Sequence, residues 1–272
     1  VQPNELKQET PYIERNIQFT RAAFGLDGIR EEAFAVREDM PPETLYGNPE
    51  TVNNLRLWDP RPLRDTYNQI EFHRLYYNFR DVDVDRYWVD GEYRQVLIGA
   101  RELHPENLPV EAQSWVNERL QYTHGYGAAA SPVTEFTPEG QPAFFAKGLP
   151  PDPEGDITIS QPEIYYGENS VNFVIVNSKT VELDYEPDEG SPIYKNYDGT
   201  GGIPISSLLR RVAYAWQFAD VNILVSNQLT GESRIQYHRT IQDRIIQVAP
   251  FLELDMDPYL VVEDGRLLWI QD

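Results

Sequence analysis

An α+β fold, with helices mixed among short antiparallel hairpins, is predicted by three features of this sequence. Two Asp-Gly dipeptides, Asp90-Gly91 and Asp264-Gly265, each lie between runs of aliphatic and aromatic residues, the signature of a tight hairpin. Several segments carry helix start or stop residues around an apolar stripe. Local hairpins mixed with those helices argue against a doubly wound parallel sheet. A single compact unit is expected. The proline- and glycine-rich stretch 138–156 reads as a long surface loop or a boundary between two lobes.

The first helix is expected to be N-capped by Thr10, with Pro11 at its first position, Ile13, Ile17 and Phe24 on one face, and Gly25 just past its end. Asp59-Pro60 repeats that start signal, and Leu63, Tyr67, Ile70 and Tyr77 keep helical spacing to about Phe79. A third helix opens at Pro109 and carries Trp115, Val116 and Leu120. Ser206 or Ser207 caps a fourth, with Leu208, Leu209, Val212 and Trp216 as its buried stripe, and a fifth runs from near Thr240 to Ala249. Strands are expected at 86–89 and 93–98, at 171–176 and 181–185, and at 259–262 and 267–270. Ile157 and Ile159 mark one more candidate strand.

Composition narrows the function classes. Lys and Arg number 23 against 44 Asp and Glu, a formal net charge of −21. That balance opposes nucleic acid and anionic lipid surfaces, both of which are bound through basic side chains. Residues 151–190 carry ten acids and the single base Lys179, which reads as a solvated repelling face or a place that collects cations. With no cysteine, disulfides, thiolate catalysis and cysteine-based zinc sites are excluded. The chain holds no apolar run of about 18 residues and opens on Val1 rather than methionine, so it reads as a fragment of a longer protein.

The densest block of unusual chemistry is Leu120–Ala130, where a helix end turns into glycines, small residues, aromatics and His124. Glycine inside an element weakens it unless close approach or positive φ is required, so this block marks a tight junction or a site. His124 and Tyr126 are the ligand-binding candidates here, with Thr200 of the Gly199-Thr200-Gly201-Gly202 block as a third. A histidine packed against a backbone carbonyl is the preferred alternative for His124. A helix-docking turn is preferred for the second glycine block, since no Gly-Lys-Ser/Thr ending follows it. Arg210 and Arg211 are placed to pair with acids at 182–189, and Tyr165, Tyr166, Trp216 and Tyr237 could line a sugar-binding surface or fill the core.

Asp81, Asp83 and Asp85 share one side of an extended segment and form the metal candidate, with calcium as the cation. Arg86 stands where an EF-hand loop needs glycine, so an EF-hand is excluded, and a charged edge strand is the competing reading. Asp255-Met256-Asp257 has the spacing of a metal-binding acid pair but lacks a nucleotide-binding unit beside it. No HExxH, G-x-S-x-G or S-x-x-K motif occurs. An open pocket holding His124 within about 4–5 Å of a carboxylate would support acid–base catalysis, whereas a His124 buried against backbone carbonyls would not.

Several blocks together resemble a known family. They are Pro11–Ile17 with Thr20–Leu26, Arg94-Gln95-Val96 with Ala100–Leu103, and Tyr122–Gly127. Pro162–Glu168, Gly199–Gly202, Ala249–Leu252 and Asp257-Pro258-Tyr259 continue the series in order. They resemble the large bacterial membrane proteins of uncharacterised protein family 0182. The resemblance implies transmembrane helices upstream of Val1, a soluble region on the extracytoplasmic side of the cell membrane, and further sequence past Asp272. Residues 1–10 would then be a membrane-proximal linker and 11–272 a soluble α+β domain. Its partners would be the transmembrane part and remaining soluble region of its own polypeptide, and an envelope protein or polymer. The resemblance brings no catalytic residue or cofactor. A non-enzymatic binding or envelope-organising module is the leading expectation, followed by an envelope hydrolase or transferase and by a divalent-cation-binding module.

Overall fold

The structure, a computed structural model, describes residues 4–30, 32–33, 40–152, 157–187 and 189–272. Residues 153–156 of the proline- and glycine-rich stretch therefore lie outside the described residues. The chain divides into two compact units, Val1–Gly47 and Asn48–Asp272.

The first unit holds α1 (Glu5–Ala23) and α2 (Pro42–Tyr46). Helix α1 runs through the Thr10-Pro11 pair instead of starting there. Thr10 turns its hydroxyl back to the Leu6 carbonyl at 2.6 Å, as a residue inside a helix does, and Pro11 merely removes one backbone donor. The stop signal works as expected: Gly25 has φ 65° and donates to the Ala22 carbonyl.

The second unit begins with α3 (Pro49–Val52) and α4 (Pro60–Ile70), then β1 (Tyr77–Phe79), β2 (Asp83–Val89) and β3 (Glu92–Leu103). Strand β3 is the frame. It pairs antiparallel with β2 across the Asp90-Gly91 turn, with β1 through Arg101–Leu103, and with β5 (Ala128–Pro132) through its middle; β4 (Gly125–Tyr126) precedes β5. Both faces of β3 are buried. Val96, Ile98 and Ala100 pack with Ala128, Phe145, Ile164 and Leu260, while Leu97 packs with Leu63, Tyr67 and Phe79. Ile157 and Ile159 join the first of these clusters without forming a strand.

Helix α4 carries the expected Asp59 cap, which accepts from the Arg61 N–H, but it ends at Ile70 rather than near Phe79. Tyr77–Phe79 instead find strand partners in β3. Asn68 seals the joint, its amide donating to the Phe79 carbonyl at 2.9 Å and accepting the Phe79 N–H at 2.8 Å. The helix expected from Pro109 is likewise shorter. Gln113 and Asn117 spend their amides on the Leu108 and Ala112 carbonyls, so a 3₁₀ turn at Val110–Ala112 precedes a short helix from Trp115 that opens into a π turn at Asn117–Gln121.

The remaining elements are β6 (Glu163–Ile164), β7 (Val174–Val176), β8 (Glu182–Tyr185), β9 (Ile193–Lys195), β10 (Ile203–Pro204), α5 (Leu208–Gln217), α6 (Asn222–Val225), β11 (Arg234–Gln236), α7 (Ile241–Val248), β12 (Tyr259–Glu263) and β13 (Arg266–Ile270). Strand β6 pairs with β4, β8 with β9, β12 with β13, and β11 lies between β10 and β7. Ser207 caps α5 as expected, accepting the Arg210 N–H. The stripe expected to be buried is on the outside: Leu209 is 82 % and Trp216 89 % exposed. Arg211 sets that rotation by reaching the Ile205 and Thr230 carbonyls, which turns Ala215, Tyr214 and Phe218 inward onto Phe173, Ile223 and Ile235. Arg210 and Arg211 thus bond carbonyls and, among the described residues, not the acids at 182–187 and 189. No described helix is long and apolar enough to cross a membrane.

Candidate functional site

Strand β4 crosses β3 at very short range. A Cβ on Gly125 would lie 2.5 Å from the Arg101 carbonyl, so only glycine allows the approach. The residues before it, Thr123 and His124, are thereby driven into the interior, and His124 is 1 % exposed. Its partners are carboxylates rather than a carbonyl. Nδ1 lies 2.8 Å from the Thr123 hydroxyl and 3.8 Å from Glu182 Oε2, and Nε2 lies 3.6 Å from Asp184 Oδ1. Burial opposes a charged ring, but Asp184 and Glu182 together outweigh it and hold the imidazole pKa above its ordinary value.

Glu182 and Asp184, expected on a solvated acidic face, are themselves buried. They alternate with Leu183 along β8, so both point to one side, and that side faces His124. Glu182 also accepts from the Thr123 hydroxyl at 2.5 Å and from the Tyr165 hydroxyl at 2.9 Å. Buried Arg239 ties the same segment down by donating to the carbonyls of Tyr165, Asn172 and Thr123. Burial lowers its pKa to about 10, which leaves it cationic at neutral pH.

Tyr165 connects this interior to the surface. It lines a cleft of about 560 Å³ together with Gln161, Glu163, Lys195, Tyr197 and Arg266. The rings of Tyr165 and Tyr197 meet edge to face with centroids 5.0 Å apart. Lys195 pairs with Glu163 and approaches Asp198 at 3.9 Å. Burial works against the Lys195 charge, but Glu163 outweighs it and raises the ammonium pKa. Ser160, on the same wall, donates its hydroxyl to the Gly265 carbonyl. The lining offers two acids, two bases, hydroxyls, an amide and two aromatic faces.

The Gly199–Gly202 block packs around Tyr197 rather than around an anion. A Cβ on Gly199 would lie 2.5 Å from the Tyr197 hydroxyl oxygen, and Gly201 donates its N–H to that oxygen at 2.9 Å. Arg234 captures the carbonyls of Thr200, Gly201 and Gly202. Thr200 is exposed whereas His124 and Tyr126 are buried, Tyr126 against Tyr185, so these three candidates share no solvent-facing site.

Of the metal candidates, Asp81 and Asp83 come together, and the third carboxylate is Asp257. The three offer oxygens within 4.8 Å of one another, a spacing that one calcium ion could bridge. Asp85 lies beside Tyr87 and outside this group. Burial, then Asp81 and Asp257, push the Asp83 carboxyl up to about 7. Nearby, burial and the Glu102 carboxylate raise Glu168 to about 8, although Glu168 lies 3.8 Å from Arg80. Residue spacing within 81–85 suggests Asp81 and Asp83, and the Asp255-Met256-Asp257 spacing marks Asp257 by itself, but nothing local says that Asp257 meets the other two.

The profile of the Uncharacterised protein family (UPF0182) matches residues 1–272. The chain is 50 % identical over 273 residues to a UPF0182 protein of Sulfurovum sp. and 47 % identical over 272 residues to one of Pelotomaculum thermopropionicum. A UPF0182 protein of Trichodesmium erythraeum is 46 % identical over 272 residues. Each match takes in 100 % of this chain and 30 % of the relative, so the chain spans about 30 % of the length of these relatives. No solved structure matches it. Agreement over all 272 residues of this chain with the profile and with these relatives makes it a member of the Uncharacterised protein family UPF0182.

Proposed function

We propose that this chain is a non-enzymatic binding module on the extracytoplasmic side of a bacterial integral membrane protein, and that the cleft beside Tyr165 holds an uncharged, hydroxyl-rich segment of an envelope polymer. The observation that carries the non-enzymatic reading is the closure of His124. An acid–base group must reach the substrate, directly or through one water, and His124 has carboxylates at both nitrogens and 1 % exposure. The cleft balances Glu163 and Asp198 with Lys195 and Arg266, which favours a neutral polar ligand even though the chain carries −21 overall. Tyrosine faces beside amide and charged groups suit sugar rings, which are apolar on one face and hydroxylated at the edge.

Cosedimentation of the full-length protein with purified cell-wall polymer tests this reading. Asp198→Ala with Arg266→Ala is expected to abolish sedimentation while leaving the melting temperature unchanged. Undiminished sedimentation of that variant would reject the cleft as the site.

A second reading is favoured by the Asp81, Asp83 and Asp257 carboxylates, which would take up a calcium ion and so relieve their mutual repulsion. Calcium-dependent melting of the wild type and of Asp83→Asn tests it.

A further inference from the structure

Strand β11 leaves a buried amide without partners at the wall of a second groove. Ile235 of β11 faces the core, and the flanking Arg234 and Gln236 face the opposite side. Arg234 is consumed by the carbonyls of the glycine turn, but Gln236, 1 % exposed, has no hydrogen bond at either its Nε2 or its Oε1. Buried amides are almost always paired, because leaving one unpaired forfeits its hydration for nothing. The glycine turn makes room for this side chain: a Cβ on Gly202 would lie 3.0 Å from Gln236 Cγ, and one on Gly201 would lie 3.9 Å from its Nε2.

The groove beside Gln236 measures about 340 Å³ and is also lined by Tyr166, Ile203, Tyr237, Arg244 and Val248. The Arg244 guanidinium rests 4.4 Å above the Tyr166 ring, and among the described residues it has no ion pair or side-chain hydrogen bond. His238, on the same wall, is already paired with Asp243. The groove therefore offers one cation without an ion pair among the described residues and an apolar flank, and the unpartnered Gln236 amide lies just beneath its wall.

We infer that this groove binds the carboxyl-terminal end of a peptide: its carboxylate against Arg244, its last amide against Gln236, and its terminal side chain along Ile203, Tyr237 and Val248. An amide is the group that supplies both an acceptor for Nε2 and a donor for Oε1, and arginine matches a carboxylate through two parallel N–H bonds. The groove lies across the glycine turn from the Tyr165 cleft, with Gly199 lining one and Gly202 the other, so this inference is independent of the polymer reading.

Isothermal titration calorimetry on the full-length protein tests it, with N-acetyl-alanyl-alanine in its L,L and D,D forms and the matching carboxyl-terminal amides as probes. Saturable binding of either acid is expected, at least tenfold tighter than its amide. The preferred enantiomer separates a protein terminus from a cell-wall peptide. Arg244→Ala should weaken binding at least tenfold. Gln236→Leu should abolish it while keeping or raising the melting temperature, since it removes an unpaired amide. No saturable heat with either acid would overturn the inference. So would amides binding as tightly as acids, or an Arg244→Ala protein that binds like the wild type.

Discussion

Asp184 places a carboxylate oxygen 3.6 Å from the Nε2 of His124 inside the protein, and its strand neighbour Glu182 lies 3.8 Å from the Nδ1 of the same ring. The histidine is 1 % exposed and is held between the Glu182 and Asp184 carboxylates. This pair places the ring of a segment that reads as an active-site loop in the protein interior.

The pair makes stability depend on pH in a definite direction. The His124 pKa is raised in the folded protein, so the folded state holds the proton more tightly than the unfolded one. Its contribution is complete below about pH 6.5, the unfolded imidazole value, and is lost as pH rises through the folded value. Asp184→Asn is expected to cost about 3 kcal/mol at pH 6, because it leaves a buried charge poorly compensated. The gap to wild type should narrow toward pH 9. Urea melts across this range check it, and a gap independent of pH would reject the ion pair.

The acid cluster adds a term of its own, which is relieved by protonation. Asp83 titrates near 7 when folded, so its ionised form is a penalty above that pH that shrinks as pH falls and vanishes below about 4. Asp83→Asn is expected to raise the melting temperature at pH 8 by about 2–4 °C, with the gain gone at pH 4. Millimolar calcium at pH 8 should stabilise the wild type and not the variant; equal shifts in both would end the cation reading.

Gly125 and Gly199 are expected to respond unequally to alanine. At Gly125 the new methyl meets the Arg101 carbonyl and the Glu102 Cα, backbone that cannot move without parting β3 from β4. At Gly199 it meets the hydroxyl end of the Tyr197 side chain, which can swing. Gly125→Ala should cost about 3 kcal/mol and Gly199→Ala about 1 kcal/mol, measured by chemical denaturation.

The outer stripe of α5 should make the separate 272-residue chain self-associate. Leu208, Leu209, Val212 and Trp216 lie on its surface, and apolar patches of this kind mark interaction surfaces. Light scattering should show concentration-dependent association that Leu209→Glu with Trp216→Glu removes, with a stability change within about 0.5 kcal/mol. A strictly monomeric wild-type chain would contradict this.

Features written in neighbouring residues could be read from the sequence alone. The Asp90-Gly91 and Asp264-Gly265 hairpins, the Asp59 and Ser207 caps, the Gly25 stop and the end of α7 before Pro250 all form where expected, because each depends on backbone conformation over a few residues. The α+β class followed from them, and the family followed from short motifs in order. Distant partners decided the rest. Tyr77–Phe79 became a strand because β3 was there to pair with it, and the amphipathic α5 had two apolar faces until the carbonyls reached by Arg211 chose between them. Asp257 joined Asp81 and Asp83 across most of the chain, and β8 brought its two acids to the ring of His124. Local sequence determines which turns and caps a chain can make. Only the packed structure determines which side chains meet, because that is settled by the burial and pairing of groups far apart along it.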